Sequence, residues 1–244
     1  MFLRFSTRLS VWLLGVALGG GCTHSISRKD VRGPQDLYAL ALEELESSSP
    51  EEAIADFEDL RAKYPYSRFS ALAELRIADA ESRRGRNVEA IEGYRGFLRL
   101  HPSHEQAEYA LLKIAEGYRS QLPRQWLLLP PNAERDQAST HEAIAAYDEL
   151  LSRFPAGFSA AEAHRHRDTC RRRLAEHELY VARFYLREGH PASVCGRALA
   201  LLEAYGGLGL ERPALQLCLE ARQRLGDAAG ALAIRNRLAA LPAG

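Results

Sequence analysis

The 244-residue chain is 46% hydrophobic, which is enough to bury a sizeable core. Its 32 basic and 32 acidic residues balance, so it lacks the positive footprint of a nucleic-acid-binding protein, and we expect no nucleic acid among its partners. The charges are interleaved along the sequence, as is typical of solvated helix faces.

Residues 1–21 have the organisation of a secretory signal peptide. Arg4 and Arg8 form a basic start, residues 11–18 are an apolar run, and residues 19–21 are glycines. The apolar run is too short to span a bilayer, which needs about 20 apolar residues. We therefore predict a cleaved leader rather than a transmembrane helix.

Cys22 follows the leader directly, and this order resembles the signal of bacterial lipoproteins. The resemblance implies cleavage before Cys22, an S-diacylglycerol on its sulfur and an N-palmitoyl group on its amine, with no other cofactor. Residues 22–35 are polar and are predicted to form a flexible tether. Thr23 in place of aspartate implies sorting to the outer membrane, with the protein anchored on its periplasmic face. The alternative is a secretory leader followed by an incidental cysteine.

A pattern of fourteen residues occurs three times in the next part of the chain. The copies are at 52–65, 89–102 and 142–155. In the first copy Ala53, Phe57 and Leu60 recur at steps of three and four, which places them on one face of a helix. Pro65 ends that helix, because proline disfavours helical structure at and before its own position. Each copy therefore predicts an amphipathic helix with a defined end.

The copies open at Glu52, Glu89 and Glu142, which are 37 and 53 residues apart. An interval in the thirties, with a helix that ends at proline, is typical of tetratricopeptide repeats, which are helix pairs of about 34 residues. The longer second interval is explained by a proline-rich insertion at 121–139. We divide the remaining chain into an N-terminal repeat region, 36–120, and a C-terminal repeat region, 140–244.

Weaker copies and the intervening helical segments complete the repeats. The weaker copies are at 192–206 and 228–242, and partner helices are predicted at 37–47, 69–83, 105–119, 159–187 and 212–225. No segment alternates like a strand over a useful length. The predicted fold is therefore all-α, a tetratricopeptide-repeat solenoid of about five helix pairs.

Three cysteines remain in the repeat region, Cys170, Cys195 and Cys218. None belongs to a closely spaced pair, so a metal site is not expected. Their positions on helices favour buried, free thiols. A disulfide between Cys195 and Cys218, on neighbouring helices, stays open as the alternative in an oxidising compartment.

The sequence contains no recognisable catalytic constellation, so we predict a protein that is not an enzyme. The histidines are scattered, and the glycines at 206–210 follow no strand that would make them a phosphate loop. A solenoid of helix pairs instead offers a concave surface for an extended peptide or a partner domain.

Several segments resemble the BamD family of lipoproteins, which belong to the β-barrel assembly machine and are also called YfiO or ComL. They are "AKYPYSRFS" at 62–70, residues 97–118, residues 134–155 and, most clearly, "AEHELYVARFYLREG" at 175–189. The order of features agrees from Cys22 to about residue 205. The resemblance implies a scaffold on the periplasmic side of the outer membrane that helps fold and insert outer-membrane proteins.

The resemblance also implies partners and sites. The N-terminal repeats would bind the β-signal, which is the C-terminal segment of an unfolded outer-membrane protein, through Tyr64, Tyr66, Ser67, Phe69 and Arg76. An aromatic end suits aromatic pockets, and an arginine suits a terminal carboxylate. Tyr64 and Phe69 have a second interpretation, as packing between repeats.

The C-terminal repeats would bind the periplasmic domain of a BamA-like barrel subunit, with Arg197 as the predicted docking residue. A solvated surface arginine is the alternative. Other Bam lipoproteins are further expected partners. Two other functions fit a tethered or periplasmic repeat protein: a lipidated pilotin for a secretin or pilus system, and a soluble partner of the division machinery. Residues 126–129 of the insertion are apolar and are expected to fold back on the solenoid.

Overall fold

The computed structural model describes residues 33–122, 133 and 135–242. These residues form ten α-helices and no strand, so the predicted all-α class is confirmed. The helices are α1 (Pro34–Glu46), α2 (Pro50–Lys63), α3 (Arg68–Arg83), α4 (Asn87–Leu100), α5 (Ala107–Ser120), α6 (Ala138–Arg153), α7 (Ala160–Arg187), α8 (Ala192–Tyr205), α9 (Glu211–Arg224) and α10 (Ala228–Ala239).

The helices pack as successive antiparallel neighbours, which is the arrangement of a repeat solenoid. The three copies of the fourteen-residue pattern correspond to α2, α4 and α6. These three helices end one residue before the position that precedes proline. The residues at that position, Tyr64, His101 and Phe154, share φ near −132° and ψ between 57° and 64°. The same sequence pattern therefore produces the same chain reversal three times.

The sixth residue of each copy is aromatic, and its side chain belongs to the core of its repeat. Phe57, Tyr94 and Tyr147 are at most 1% exposed. The weaker copies have no aromatic residue there, and in α8 the small Ala198 lies at the equivalent place. At this position the first three repeats thus bury a large aromatic side chain, and the fourth buries a small one.

The α7 helix has 28 residues, twice the length of α8, so it is about 42 Å long. Its first half packs on α6 and its second half on α8. The predicted helix at 159–187 is therefore confirmed as one uninterrupted helix. Residues 126–129 of the insertion lie outside the described residues, as does Cys22.

The cysteine prediction is correct for one thiol and wrong for two. Cys170 is buried and free, as expected, but Cys195 and Cys218 form a disulfide between α8 and α9. Both cysteines belong to one hydrophobic core, which also contains the small buried residues Ala198 of α8 and Ala214 of α9. Close helix packing brings the two sulfurs within bonding distance, a feature that the spacing in sequence does not reveal.

Of the helices in the described part of the chain, none is at once long and apolar enough to cross a membrane.

Candidate peptide groove and docking cleft

The turn between α2 and α3 holds three of the five residues predicted to bind peptide, Tyr64, Tyr66 and Ser67, and Phe69 follows in the first turn of α3. Ser67 is the N-cap of α3, and its hydroxyl accepts a hydrogen bond from the backbone N–H of Phe69 at 3.2 Å. Phe69 packs on Tyr38 of α1, with ring centroids 5.4 Å apart, and Tyr64 packs against the same first core. Tyr66 is fully exposed at the tip of the turn. Tyr64 and Phe69 therefore hold the first two repeats together.

Arg76, the fifth predicted residue, lies elsewhere. It is seven residues beyond Phe69 on α3, about 10 Å along the helix axis. Its Nε donates to the hydroxyl of Tyr38 at 3.2 Å, and its Nη1 pairs with Asp79 at 2.5 Å. The structure thus separates Arg76 from the turn, and Tyr38 is the residue that touches both Phe69 and Arg76.

Asp79 is the centre of a polar network that joins α3, α4 and α5. Its carboxylate accepts hydrogen bonds from the hydroxyls of Tyr94 at 2.6 Å and Tyr109 at 2.9 Å, in addition to the Arg76 ion pair. Burial and the nearby Asp79 charge raise the pKa of both tyrosines, so they remain hydrogen-bond donors. Burial alone would lower the pKa of Arg76, but the bonds to Tyr38 and Asp79 raise it. The network fixes the orientation of the Arg76 guanidinium.

This network forms one wall of a cavity of about 430 Å³, which we call the groove pocket. Its lining residues, mainly from α1, α3 and α5, are Leu42, Leu45, Glu46, Arg76, Asp79, Ser82, Arg83, Tyr94, Tyr109 and Lys113. Three of them are cationic and two are acidic. Asp79 already accepts the tyrosine hydroxyls and the Arg76 ion pair, so besides the exposed carboxylate of Glu46 the lining offers a ligand cationic nitrogens and aromatic rings.

Arg83 and Lys113 complete the cationic lining. Arg83 donates to the carbonyl of Leu45 across the α1–α3 interface. Lys113 pairs with Glu116 at 2.8 Å and lies 5.4 Å from the centre of the Tyr109 ring. An aromatic floor beside ammonium and guanidinium groups suits a ligand that carries both an aromatic group and a carboxylate.

Sequence reasoning missed Arg83, Tyr109 and Lys113. A signal was present, because Arg76, Asp79 and Arg83 are spaced by three, four and seven residues on α3 and so share one helix face. Tyr109 and Lys113 are four residues apart on α5 and share a face in the same way. The polar face of the first helix in a repeat can therefore indicate a site as clearly as its apolar face indicates the core.

Arg197 lies on α8 and faces α7. Its Nη1 pairs with Glu178 at 3.1 Å, and its guanidinium lies 5.2 Å from the centre of the Tyr185 ring. The side chain is 40% exposed, so it is held in place but still accessible to a partner. The docking residue predicted from the sequence is thus a positioned cation rather than a freely solvated one.

Arg197 borders a second cavity, of about 350 Å³, which we call the docking cleft. The cleft is lined by Glu178, Gly196, Arg197, Ala200, Leu201, Ala204 and Tyr205. Four of these residues are small or apolar, and the Arg197–Glu178 ion pair also lines the cleft. Such a surface can accept an apolar side chain of a partner and orient that partner by charge.

No cluster of three histidine, cysteine or acidic side chains that could hold a metal ion occurs within 33–122 or 135–242.

One known protein family matches most of the chain. The YfiO family, described as "Outer membrane lipoprotein", matches residues 31–238. A relative from Neisseria meningitidis serogroup A, named "Outer membrane protein assembly factor BamD", is 30% identical over 226 residues, which is 87% of this chain and 82% of that protein. The protein with the same name from Vibrio cholerae is 29% identical over 88% of this chain and 90% of its own length.

Solved structures of repeat proteins also resemble this chain. One is PilW, a type IV pilus biogenesis factor, with 18% identity, a TM-score of 0.40 and coverage of 85% of this chain and 92% of that one. Another is the tetratricopeptide-repeat protein TTC0263 of Thermus thermophilus, with 15% identity, a TM-score of 0.40 and coverage of 84% and 90%. Similarity at this level says nothing about function.

Proposed function

Because the chain belongs to the YfiO family of outer membrane lipoproteins, we propose that it is an outer-membrane protein assembly factor of the Bam complex. The observation that carries this proposal is the family match over residues 31–238, together with BamD relatives that align over most of their own length. The protein acts as a scaffold and not as a catalyst. It is held by lipid on Cys22 at the periplasmic face of the outer membrane.

The groove pocket is the site that we assign to the C-terminal segment of unfolded outer-membrane proteins. Arg76 and Lys113 would pair with the terminal carboxylate, while Tyr109 would pack on the terminal aromatic ring. The geometry supports this assignment because the Asp79 network already orients Arg76, so binding does not have to immobilise it. Tyr64, Ser67 and Phe69 contribute by fixing α3 on the first repeat.

A peptide titration tests the groove assignment. A synthetic peptide with an aromatic C-terminal residue and a free carboxylate should bind the wild-type chain more tightly than its C-terminal amide. Lys113→Gln should weaken binding of the free acid by about fivefold to tenfold, the effect of one lost charged pair, and should reduce the difference between acid and amide. Lys63→Gln is the matched control, because Lys63 also pairs with a nearby acid, Asp59 at 2.7 Å, but lies outside the pocket. Equal affinity for acid and amide would contradict the assignment.

The docking cleft is the surface that we assign to the periplasmic domain of a BamA-like barrel subunit. Arg197→Glu would place two carboxylates next to each other in the cleft, with Glu178 already there. Recovery of the barrel subunit by gentle-detergent pull-down should fall, while the circular dichroism spectrum stays unchanged. Arg237→Glu, a reversal on the exposed face of α10, should leave recovery at the wild-type level.

The same pull-down from native membranes tests the function as a whole. Co-purification of a BamA-like protein, with or without other Bam lipoproteins, is the expected result. Recovery of a secretin without any barrel subunit would instead indicate a pilotin and overturn the proposal. Cys22→Ala should release the protein from the outer-membrane fraction, and unchanged fractionation would refute the lipid anchor.

A further inference from the structure

Three turns of the solenoid lie side by side along one of its edges. Odd-numbered helices run away from this edge and even-numbered ones return to it, so the turns that follow α2, α4 and α6 share it. Each turn contains a proline, and we call the three turns, residues 63–68, 99–106 and 153–159, the prolyl edge. The third turn contacts the second directly, because Arg153 donates to the carbonyl of Pro102 at 3.0 Å. Glu74 of α3 lies between the first two turns, 2.9 Å from Arg61 of α2 and 3.4 Å from His101.

Each turn of the prolyl edge presents one large apolar side chain to solvent. Tyr66 is fully exposed, Phe158 is 74% exposed and Leu100 is 66% exposed. Single exposed apolar residues are common on proteins and need no explanation. Here, however, three consecutive stacked turns each carry one, so they form a row that the fold itself does not use.

The prolyl edge is also basic. Its three turns contain four basic side chains, Lys63, Arg68, Arg99 and Arg153, and a single acidic side chain, Glu105. Lys63 and Arg153 each pair with an acid four residues earlier on their own helix. Arg68 and Arg99 are exposed and form no ion pair within the described residues. The edge therefore has two cations that remain available to an anionic surface.

The chain enters the solenoid at this same edge. The α1 helix begins at Pro34 and runs in the direction of α3, so its first residue lies beside the α2–α3 turn. Twelve residues, 22–33, separate the proposed lipid-bearing sulfur from α1, and they can span at most about 40 Å. If the anchor of the proposed function holds, the prolyl edge is the part of the solenoid next to the point where the tether arrives.

We propose that the prolyl edge lies on the bilayer surface and binds anionic lipid headgroups. Tyr66 and Phe158 are of the type that inserts at the interface between headgroups and acyl chains, and Leu100 adds apolar area. The basic side chains pair with lipid phosphates. The edge then sets the orientation of the solenoid on the membrane, with the groove pocket, nearer the far ends of α1 and α3, held away from the lipid.

The test uses residues 23–244, which lack the acyl groups but keep the whole packed core, since every buried residue described lies within 37–234. We expect these residues to co-sediment with phosphatidylcholine vesicles that contain phosphatidylglycerol, and binding should fall with added salt. The variant Tyr66→Ser, Leu100→Ser, Phe158→Ser should lose at least about tenfold in partitioning. Charge removal by Lys63→Gln, Arg68→Gln and Arg99→Gln should abolish the preference for phosphatidylglycerol over pure phosphatidylcholine.

A matched control uses exposed apolar residues outside the prolyl edge. Val88, Leu225 and Leu232 are 64%, 48% and 57% exposed, so their replacement by serine also removes three exposed apolar side chains, although smaller ones. This variant should bind as the wild type does, and circular dichroism should be the same for all variants. Equal loss in both serine variants, or no binding of the wild type to anionic vesicles, would overturn the proposal. Because the assay contains no lipidated protein, its outcome is independent of Cys22→Ala fractionation, which tests the anchor alone.

Discussion

Replacement of Asp79 by alanine tests whether the polar network holds the first three repeats together. Asp79 is 9% exposed, and its carboxylate binds Arg76 of α3, Tyr94 of α4 and Tyr109 of α5. Its removal leaves one guanidinium, the buried hydroxyl of Tyr94 and the half-buried hydroxyl of Tyr109 without their common acceptor. Loss of one member of a buried ionic network typically costs about 3–5 kcal/mol, because the remaining charge and donors stay desolvated.

The free energy of unfolding of a typical domain is about 5–15 kcal/mol, so this cost is a large share of it. With a urea dependence of about 2 kcal/mol per molar, the unfolding midpoint should fall by about 1.5–2.5 M. Circular dichroism in increasing urea measures it. Asp79→Asn keeps an oxygen acceptor and should lose less than half as much, and Tyr94→Phe should cost about 1–2 kcal/mol as the loss of one hydrogen bond to a charged group.

Asp59→Ala is the matched control. Asp59 also forms a short ion pair, with Lys63 at 2.7 Å, but both side chains are exposed, so its removal should leave the urea midpoint close to that of the wild type. If Asp79→Ala unfolds at the same urea concentration as Asp59→Ala, the buried Asp79 network contributes no more to the free energy of unfolding than an exposed ion pair does. That result would contradict the prediction. Combination of Asp79→Ala with Tyr94→Phe should be less than additive, because both changes remove the same hydrogen bond.

Three further predictions concern single side chains. Gly157→Ala should destabilise the chain by about 1–3 kcal/mol in urea unfolding, because the new methyl group would overlap the Glu108 carboxylate, which caps the start of α7. Gly196→Ala should instead stabilise the chain by about 1 kcal/mol, because Gly196 lies in α8 with open space around it. Burial raises the pKa of Tyr147 to about 12, so stability should be intact below pH 10 and fall as pH rises from 10 to 12, and Tyr147→Phe should reduce that fall in an alkaline titration of helicity. Burial raises the pKa of the Cys170 thiol, so iodoacetamide should modify it only in denaturant, and rapid modification of the native chain would contradict its burial.

The sequence predicts the helices well because helix ends and helix faces are local properties. Pro65, Pro102 and Pro155 each mark a reversal, and Phe57 marks the buried face three residues before the last core leucine. The observed ends differ from the predicted ones by at most a few residues, as where α6 begins at Ala138, inside the predicted insertion.

The candidate sites are less predictable because they depend on which helix faces meet. The network of Asp79 joins residues 15 and 30 positions apart, and no local pattern specifies that Tyr94 and Tyr109 converge on it. The Cys195–Cys218 disulfide has the same origin, since it depends on the closeness of α8 and α9. The predicted peptide residues at 64–69 came from resemblance, and the structure shows that Arg76 belongs to a different surface from Tyr66.

The length of α7 has a mechanical consequence. Its residues up to Ala163 belong to the core of the second and third repeats, and those from Ala175 belong to the core of the last two, so about 18 Å of one helix separates two hydrophobic centres. Among the described helices α7 is the one that packs extensively on both groups. Under the proposed function, a coupling between peptide binding at Arg76 and partner docking at Arg197 would pass through a rotation, bend or shift of α7. A helix-breaking substitution near Cys170 would interrupt the continuous helix between the two hydrophobic cores.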